Sequence, residues 1–132
     1  MNIERFASPL PAPLSTAVRA GDFVFLSGVV AMDDRGEIVG ATVGEQTRFA
    51  LGRVGEALGR CGASLVDVVR TTVWLADLAG FAEFNAEYAR HFSGALPCRS
   101  TTQAVLHKGA LVEIEATAFV PVRSASRSIP ST

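Results

Sequence analysis

The chain has one lysine, one tryptophan, one tyrosine and two cysteines in 132 residues. Lys108 is the lysine, so arginine carries almost all of the positive charge. Twelve basic side chains stand against thirteen acidic ones, a formal net charge of −1. Scattered arginines on a near-neutral chain form no phosphate track, so neither nucleic acid nor an anionic membrane surface is an expected partner. No apolar run approaches the roughly 18 residues of a membrane span. Met1 to Phe6 carry charge and no apolar stretch, which predicts no secretory signal and a cytoplasmic location. Cys61 and Cys98 fall in different predicted elements and read as reduced thiols, not a disulfide framework. His91 and His107 show no metal-ligand spacing with them. There is no glycine-rich phosphate loop either: Gly52, Gly55 and Gly59 fall inside a predicted helix, where their regular spacing predicts close packing on a sheet.

What the chain has is apolar residues. They make up 48% of it against 19% charged, which is enough for one domain over 1–122 and leaves apolar surface to bury between subunits. The Ser- and Arg-rich segment 123–132 is expected to be a disordered tail.

Pro9, Pro11 and Pro13 predict an extended arm up to residue 13. Strands are predicted over 15–19 and over 23–30, the second interrupted by Ser27-Gly28, with a short return strand at 37–40. A glycine inside a buried strand is costly unless something approaches the backbone there. Thr42 and Glu45 form a capping box that opens a helix with Leu51, Val54, Leu58 and Cys61 on one stripe, and Gly62 stops it. A β-branched run predicts a strand over 68–76. A second helix follows Gly80, with Phe81, Phe84, Tyr88 and Phe92 as an aromatic stripe, and two strands close the chain at 99–106 and 111–120. The order predicts an α+β fold in which two helices cover one face of the sheet. The other face needs cover, and copies of the same chain in a symmetric homo-oligomer would supply it.

The last strand is the most informative. Alternation puts Val112, Ile114, Ala116, Ala118 and Val120 on one face and Glu113, Glu115 and Thr117 on the other. The two carboxylates then lie about 7 Å apart along the strand. Arg99, at the start of the preceding strand, offers a planar fork that grips a carboxylate at two points. It either pairs with Glu113 or Glu115, or binds a small anion. A carboxylate acting as general base needs burial or a like-charged neighbour to raise its pKa; the residues alone do not choose which glutamate that is. Cys98 precedes Arg99, turns to the opposite face and reads as a packed thiol. Asn85 on the aromatic helix either caps a loop or lines a pocket.

Several segments together resemble the Rid family, the YjgF-type reactive intermediate deaminases that also carry an endoribonuclease L-PSP label. They are Phe25-Leu26-Ser27-Gly28, Glu45-Gln46-Thr47, the run from Gly62 to Val69, Phe84-Asn85-Ala86-Glu87-Tyr88, Pro97-Cys98-Arg99-Ser100-Thr101, and Val112 to Ala116. The resemblance spans residues 13–120. It implies a chorismate-mutase-like α+β fold and a homotrimer whose sheets form a central barrel, with three pockets between subunits. It implies that Arg99 binds the carboxylate of a small imine or enamine, that Glu113 positions water, and that the Gly28 backbone contacts substrate, with Leu14, Asn85 and Thr101 around them. The implied reaction is hydrolysis of 2-aminoacrylate- or 2-iminopropanoate-type substrates to 2-oxo acids and ammonia. No metal or organic cofactor is implied, because an iminium carbon is already electrophilic. Where many family members have a tyrosine this chain has Leu14. Val29, Cys98 and Thr101 replace the usual glutamine, alanine and cysteine. The wall is thus more apolar, which points to a larger imine or to an aminoacrylate of pyrimidine catabolism. A trimer that binds a carboxylate metabolite without turnover, and an RNA-cleaving enzyme, are the other readings.

Overall fold

The computed structural model describes residues 2–122, and the expected tail at 123–132 lies outside the described residues. Seven strands form one mixed sheet: β1 (Ile3–Ala7), β2 (Ser15–Ala20), β3 (Phe23–Leu26), β4 (Val29–Val30), β5 (Val68–Leu75), β6 (Cys98–Gln103) and β7 (Val112–Phe119). The order is β1-β2-β3-β7-β5-β6, with β4 also on β7. Only β5 and β6 pair in parallel; the other pairs are antiparallel. That parallel pair is joined by the α2 crossover, as a parallel connection requires.

The helix α1 (Val43–Arg60) forms where the capping signal places it. Thr42 Oγ1 accepts from Glu45 N at 3.1 Å, while Glu45 Oε1 accepts from Ala41 N at 2.8 Å, one residue before the N-cap nitrogen of a standard box. Leu51, Val54 and Leu58 are fully buried and Cys61 nearly so, which matches the expected stripe. Gly62 takes φ +76°, the left-handed conformation that ends a helix at least cost on glycine. The second helix, α2 (Phe81–Ala89), buries Phe84 and Tyr88. Both helices lie over one face of the sheet, where Val24, Leu26, Val73, Leu75, Val112, Ile114, Ala116 and Ala118 meet them in one apolar cluster.

No helix among the described residues lies on the opposite face. Phe23, Phe25 and Phe119 stand on it, each more than 40% exposed, with ring centroids 6.3 and 5.2 Å apart along the series. Apolar rings left open in this way fit the expectation that this face needs covering.

Three expectations need correction. The arm before residue 13 contains a strand, β1, that pairs with β2 from Ile3 to Ala7. Its prolines all lie after it, so they end the strand without preventing it. The return strand at 37–40 is only a single bridge between Met32 and Ile38. The glycines of α1 do not press on the sheet: a Cβ at Gly52, Gly55 or Gly59 would meet nothing within 4 Å. At 100° per residue Gly52 and Gly59 fall about 80–100° round the helix from Leu51, while Gly55, about 40° from it, borders the stripe.

Candidate active site

Register decides where each candidate side chain goes. Arg99 stands opposite Thr71 on β5, and Thr71 stands opposite Ala116 on β7; both partners are buried under the helices. Arg99 therefore lies on the helix-covered face. Glu113 stands opposite Trp74, between the buried Val73 and Leu75, and Glu115 stands opposite Thr72. Both glutamates therefore lie on the open face, as alternation within β7 predicts. Two strand spacings and three residues of register separate Arg99 from Glu113, about 14 Å between Cα atoms, on opposite sides of the sheet. Of the two readings of Arg99, its pairing with Glu113 or Glu115 does not form within the chain, because the strand between them fixes their parity.

Arg99 instead lies against α2. Its guanidinium carbon is 5.6, 5.2 and 4.9 Å from the ring centroids of Phe81, Phe84 and Tyr88. These are the i, i+3 and i+7 positions of α2, one face of the helix. No salt bridge involves Arg99 among the described residues. Aromatic rings occupy the faces of a guanidinium and leave its N–H edge for an anion. Asn85, half-buried, sits at the i+4 position from Phe81 on that same face. Thr101, two residues beyond Arg99, shares its side of β6. Cys98 and Ser100 point the other way, and Cys98 donates from Sγ to Val69 O at 3.2 Å. The aromatic seat of Arg99 was legible only as a core stripe in the sequence; its proximity to Arg99 needed the β5–β6 register.

Glu113 has a different setting. Its carboxylate lies directly against Gly28, where Oε2 occupies the space that a Cβ would take. The glycine that interrupts β3 and β4 thus admits a side chain of β7. Burial first, and the neighbouring charge of Glu115 second, raise the Glu113 carboxyl above its ordinary pKa, and His107 opposes them. A carboxylate held this way is a better proton acceptor than a solvated one. Leu14 and Gly28 line a cavity of about 540 Å³ with Ser27, Val29 and Met32. Arg99, Asn85, Thr101 and Glu113 do not line it. The predicted residues therefore form two groups: Arg99, Asn85 and Thr101 on the helix side, and Glu113 with Gly28 on the open side, Leu14 lying beyond Gly28.

No group of three or more His, Cys, Asp or Glu side chains capable of holding a metal is present among the described residues. His91 is taken up by Glu87, 2.8 Å away. No described helix is long and apolar enough to cross a membrane.

The fold and these two groups define a small α+β protein with an arginine offered to an anion and a carboxylate raised toward the range of a general base. Comparison with known proteins makes this specific. Residues 7–120 match the family model described as Endoribonuclease L-PSP. A RutC family protein of Pyrococcus horikoshii is 39% identical over 115 residues, 85% of this chain and 91% of that protein. The human 2-iminobutanoate/2-iminopropanoate deaminase is 38% identical over 117 residues, 86% of this chain and 85% of that one. The crystal structure of a YjgF/YER057c/UK114 family member from Mycobacterium tuberculosis superimposes with a TM-score of 0.79 at 34% identity, covering 90% of this chain and all of that one. The chain belongs to the endoribonuclease L-PSP family, the YjgF or Rid proteins.

Proposed function

We propose that this protein is a hydrolase that deaminates 2-imino acids and their enamine tautomers to 2-oxo acids and ammonia, without a cofactor, in sites shared between copies of the chain. The observation that carries the reading is Arg99: a seated guanidinium with no carboxylate partner among the described residues. The names of the 38–44% identical relatives, deaminases of 2-iminobutanoate and 2-iminopropanoate and a Reactive Intermediate Deaminase A, point to the same substrate class.

Arg99 takes the substrate carboxylate in a bidentate pair and fixes the adjacent C=N carbon. Glu113 accepts a proton from a water as that water adds to the carbon. The carbinolamine nitrogen is protonated, the C–N bond breaks toward nitrogen, and ammonia leaves as the carbonyl forms. The proton Glu113 took is the one passed to that nitrogen, and the ionised Glu113 then accepts the hydroxyl proton as the carbonyl forms and hands it to the released ammonia, which leaves as ammonium. Because Arg99 and Glu113 lie on opposite faces about 14 Å apart, one chain supplies the arginine and a neighbour supplies Glu113 and Gly28. A ring of three copies would close three equivalent sites and cover the open face with its exposed phenylalanines. Its location would be the cytoplasm.

The test uses imines made in place by an amino-acid oxidase, with release of 2-oxo acid as the signal. Arg99→Ala and Glu113→Gln are each expected to be inactive. Refolded together in equal amounts, they are expected to recover about a quarter of wild-type activity, since a trimer mixed at random has that share of intact sites. No recovery would place both groups in one chain. Saturable binding of 2-oxo acids with no turnover would make the protein a metabolite-binding trimer.

A further inference from the structure

Tyr88 is the chain's only tyrosine, and the reaction proposed above gives it no direct part. It is nearly buried, on α2, between the rings of Phe84 at 5.1 Å and Phe92 at 4.7 Å. Its hydroxyl lies 2.6 Å from Thr71 Oγ1, a buried hydrogen bond. Thr71 is also the residue of β5 opposite Arg99. Of the three rings around the guanidinium, Tyr88 is the nearest at 4.9 Å.

These contacts close a circuit. The β5–β6 ladder places Arg99 beside Thr71, Thr71 fixes the Tyr88 hydroxyl, and the ring of Tyr88 returns to Arg99. Phe84 and Phe81 hold the guanidinium only by their faces, and Phe81 is 42% exposed at the rim. Tyr88 is the one ring of the three tied by a hydrogen bond to the strand next to Arg99. Burial, the largest influence, holds its phenol above the ordinary pKa against the lowering effects of the Thr71 hydrogen bond and of Arg99, so the hydroxyl stays protonated and bound to Thr71 at neutral pH.

We infer that Tyr88, pinned by Thr71, is a positioning residue that sets the direction in which the Arg99 guanidinium presents its N–H edge. The catalytic consequence rests on the reading of Arg99 as the carboxylate clamp, whereas the positioning itself does not. A flexible arginine samples many rotamers, and holding one conformer in advance removes that cost from binding.

The experiment follows the Arg99 Nε–H resonance by proton–nitrogen NMR on the intact protein, assigned by its loss in Arg99→Ala. Steady-state kinetics on a small 2-imino acid run in parallel. Tyr88→Leu removes ring and hydroxyl, Tyr88→Phe keeps the ring and removes the hydroxyl with its tie to Thr71 and its weaker polar contact with Arg99, and Tyr88→Phe with Thr71→Val does the same while leaving no orphaned hydroxyl. In Tyr88→Leu the Nε–H signal is expected to lose its ring-current shift and broaden, and KM is expected to rise about tenfold with kcat little changed. Tyr88→Phe should broaden the signal with a smaller rise in KM, and the double variant should behave like Tyr88→Phe. If Tyr88→Leu fails to fold, the two phenylalanine variants carry the test. An Nε–H signal and KM both unmoved in folded variants would overturn the inference. If Arg99→Ala leaves KM unchanged, the clamp reading fails, and the Nε–H signal alone still decides the positioning.

Discussion

Gly28→Ala separates what the Gly28–Glu113 contact does for stability from what it does for chemistry. The new Cβ would overlap Glu113 Oε2 and crowd Cδ at 3.1 Å and Cγ at 3.3 Å. All three atoms belong to the end of a flexible side chain, and Gly28 is not in the left-handed region, so the backbone accepts alanine. Pushing Glu113 about 30° off its rotamer to clear the new Cβ costs about 0.5–1.5 kcal/mol. Stiffening the unfolded chain returns about 0.4–1 kcal/mol. The two nearly cancel, and the urea unfolding midpoint is expected to move by no more than about 1 kcal/mol in equivalent stability. Activity should behave otherwise. The carboxylate has to leave its place by at least the overlap, and a displacement of about 1 Å in a reacting group costs about 10²-fold in rate. Oxo-acid release in Gly28→Ala should therefore fall about 10²-fold in kcat while KM, set by Arg99, changes little. The same substitution in a Glu113→Gln background should add almost nothing, because both act on one group. Wild-type kcat in Gly28→Ala, or a stability loss above about 2 kcal/mol, would refute the assignment of Gly28 as the seat of the Glu113 carboxylate.

Two other outcomes follow from the same structure. Folding raises the Glu113 pKa through burial and the Glu115 charge, so this carboxyl favours the folded state below its unfolded pKa and loses that contribution as pH rises through the folded value. Glu113→Gln should accordingly be as stable as wild type in acid and relatively more stable at neutral pH, read as unfolding midpoints across pH. The activity of the wild type, which needs the ionised form, should fall as pH drops through the same raised pKa; a kcat/KM profile flat down to the ordinary carboxylate range would contradict it. Gly52→Ala and Gly55→Ala place a methyl in open space within α1 and should each stabilise the fold by about 0.5–1 kcal/mol in urea unfolding. A loss in either would mean that another surface closes on that flank.

The sequence makes some of this legible and hides the rest for definite physical reasons. Period-two alternation gives the faces of β7 because Val112, Ile114, Ala116 and Ala118 are all buried and the residues between them are not. The same rule says nothing about β6, whose Cys-Arg-Ser-Thr-Thr-Gln has no apolar alternation and none of whose residues is fully buried. The side of the sheet that Arg99 faces thus enters only with the pairing of Thr71, a long-range fact that no local pattern carries. The edge strand β1 is missed for a related reason: four of its five residues are exposed, so it has no buried face to advertise. The glycines of α1 are an intermediate case: a helical wheel sets Gly52 and Gly59 off the stripe, but Gly55 borders it, and the open space beside all three enters only with the structure. Ser27-Gly28 is another. A close approach to that backbone is legible, but the sequence does not say that the approaching group is Glu113. These gaps have one effect on function. On the proposed function Arg99 and Glu113 serve one site, whereas the register puts them on two sides of the sheet, and assembly of several copies would reconcile the two. If Arg99 is the clamp and Glu113 the base, activity requires association, and activity per chain is expected to fall on dilution wherever the assembly dissociates.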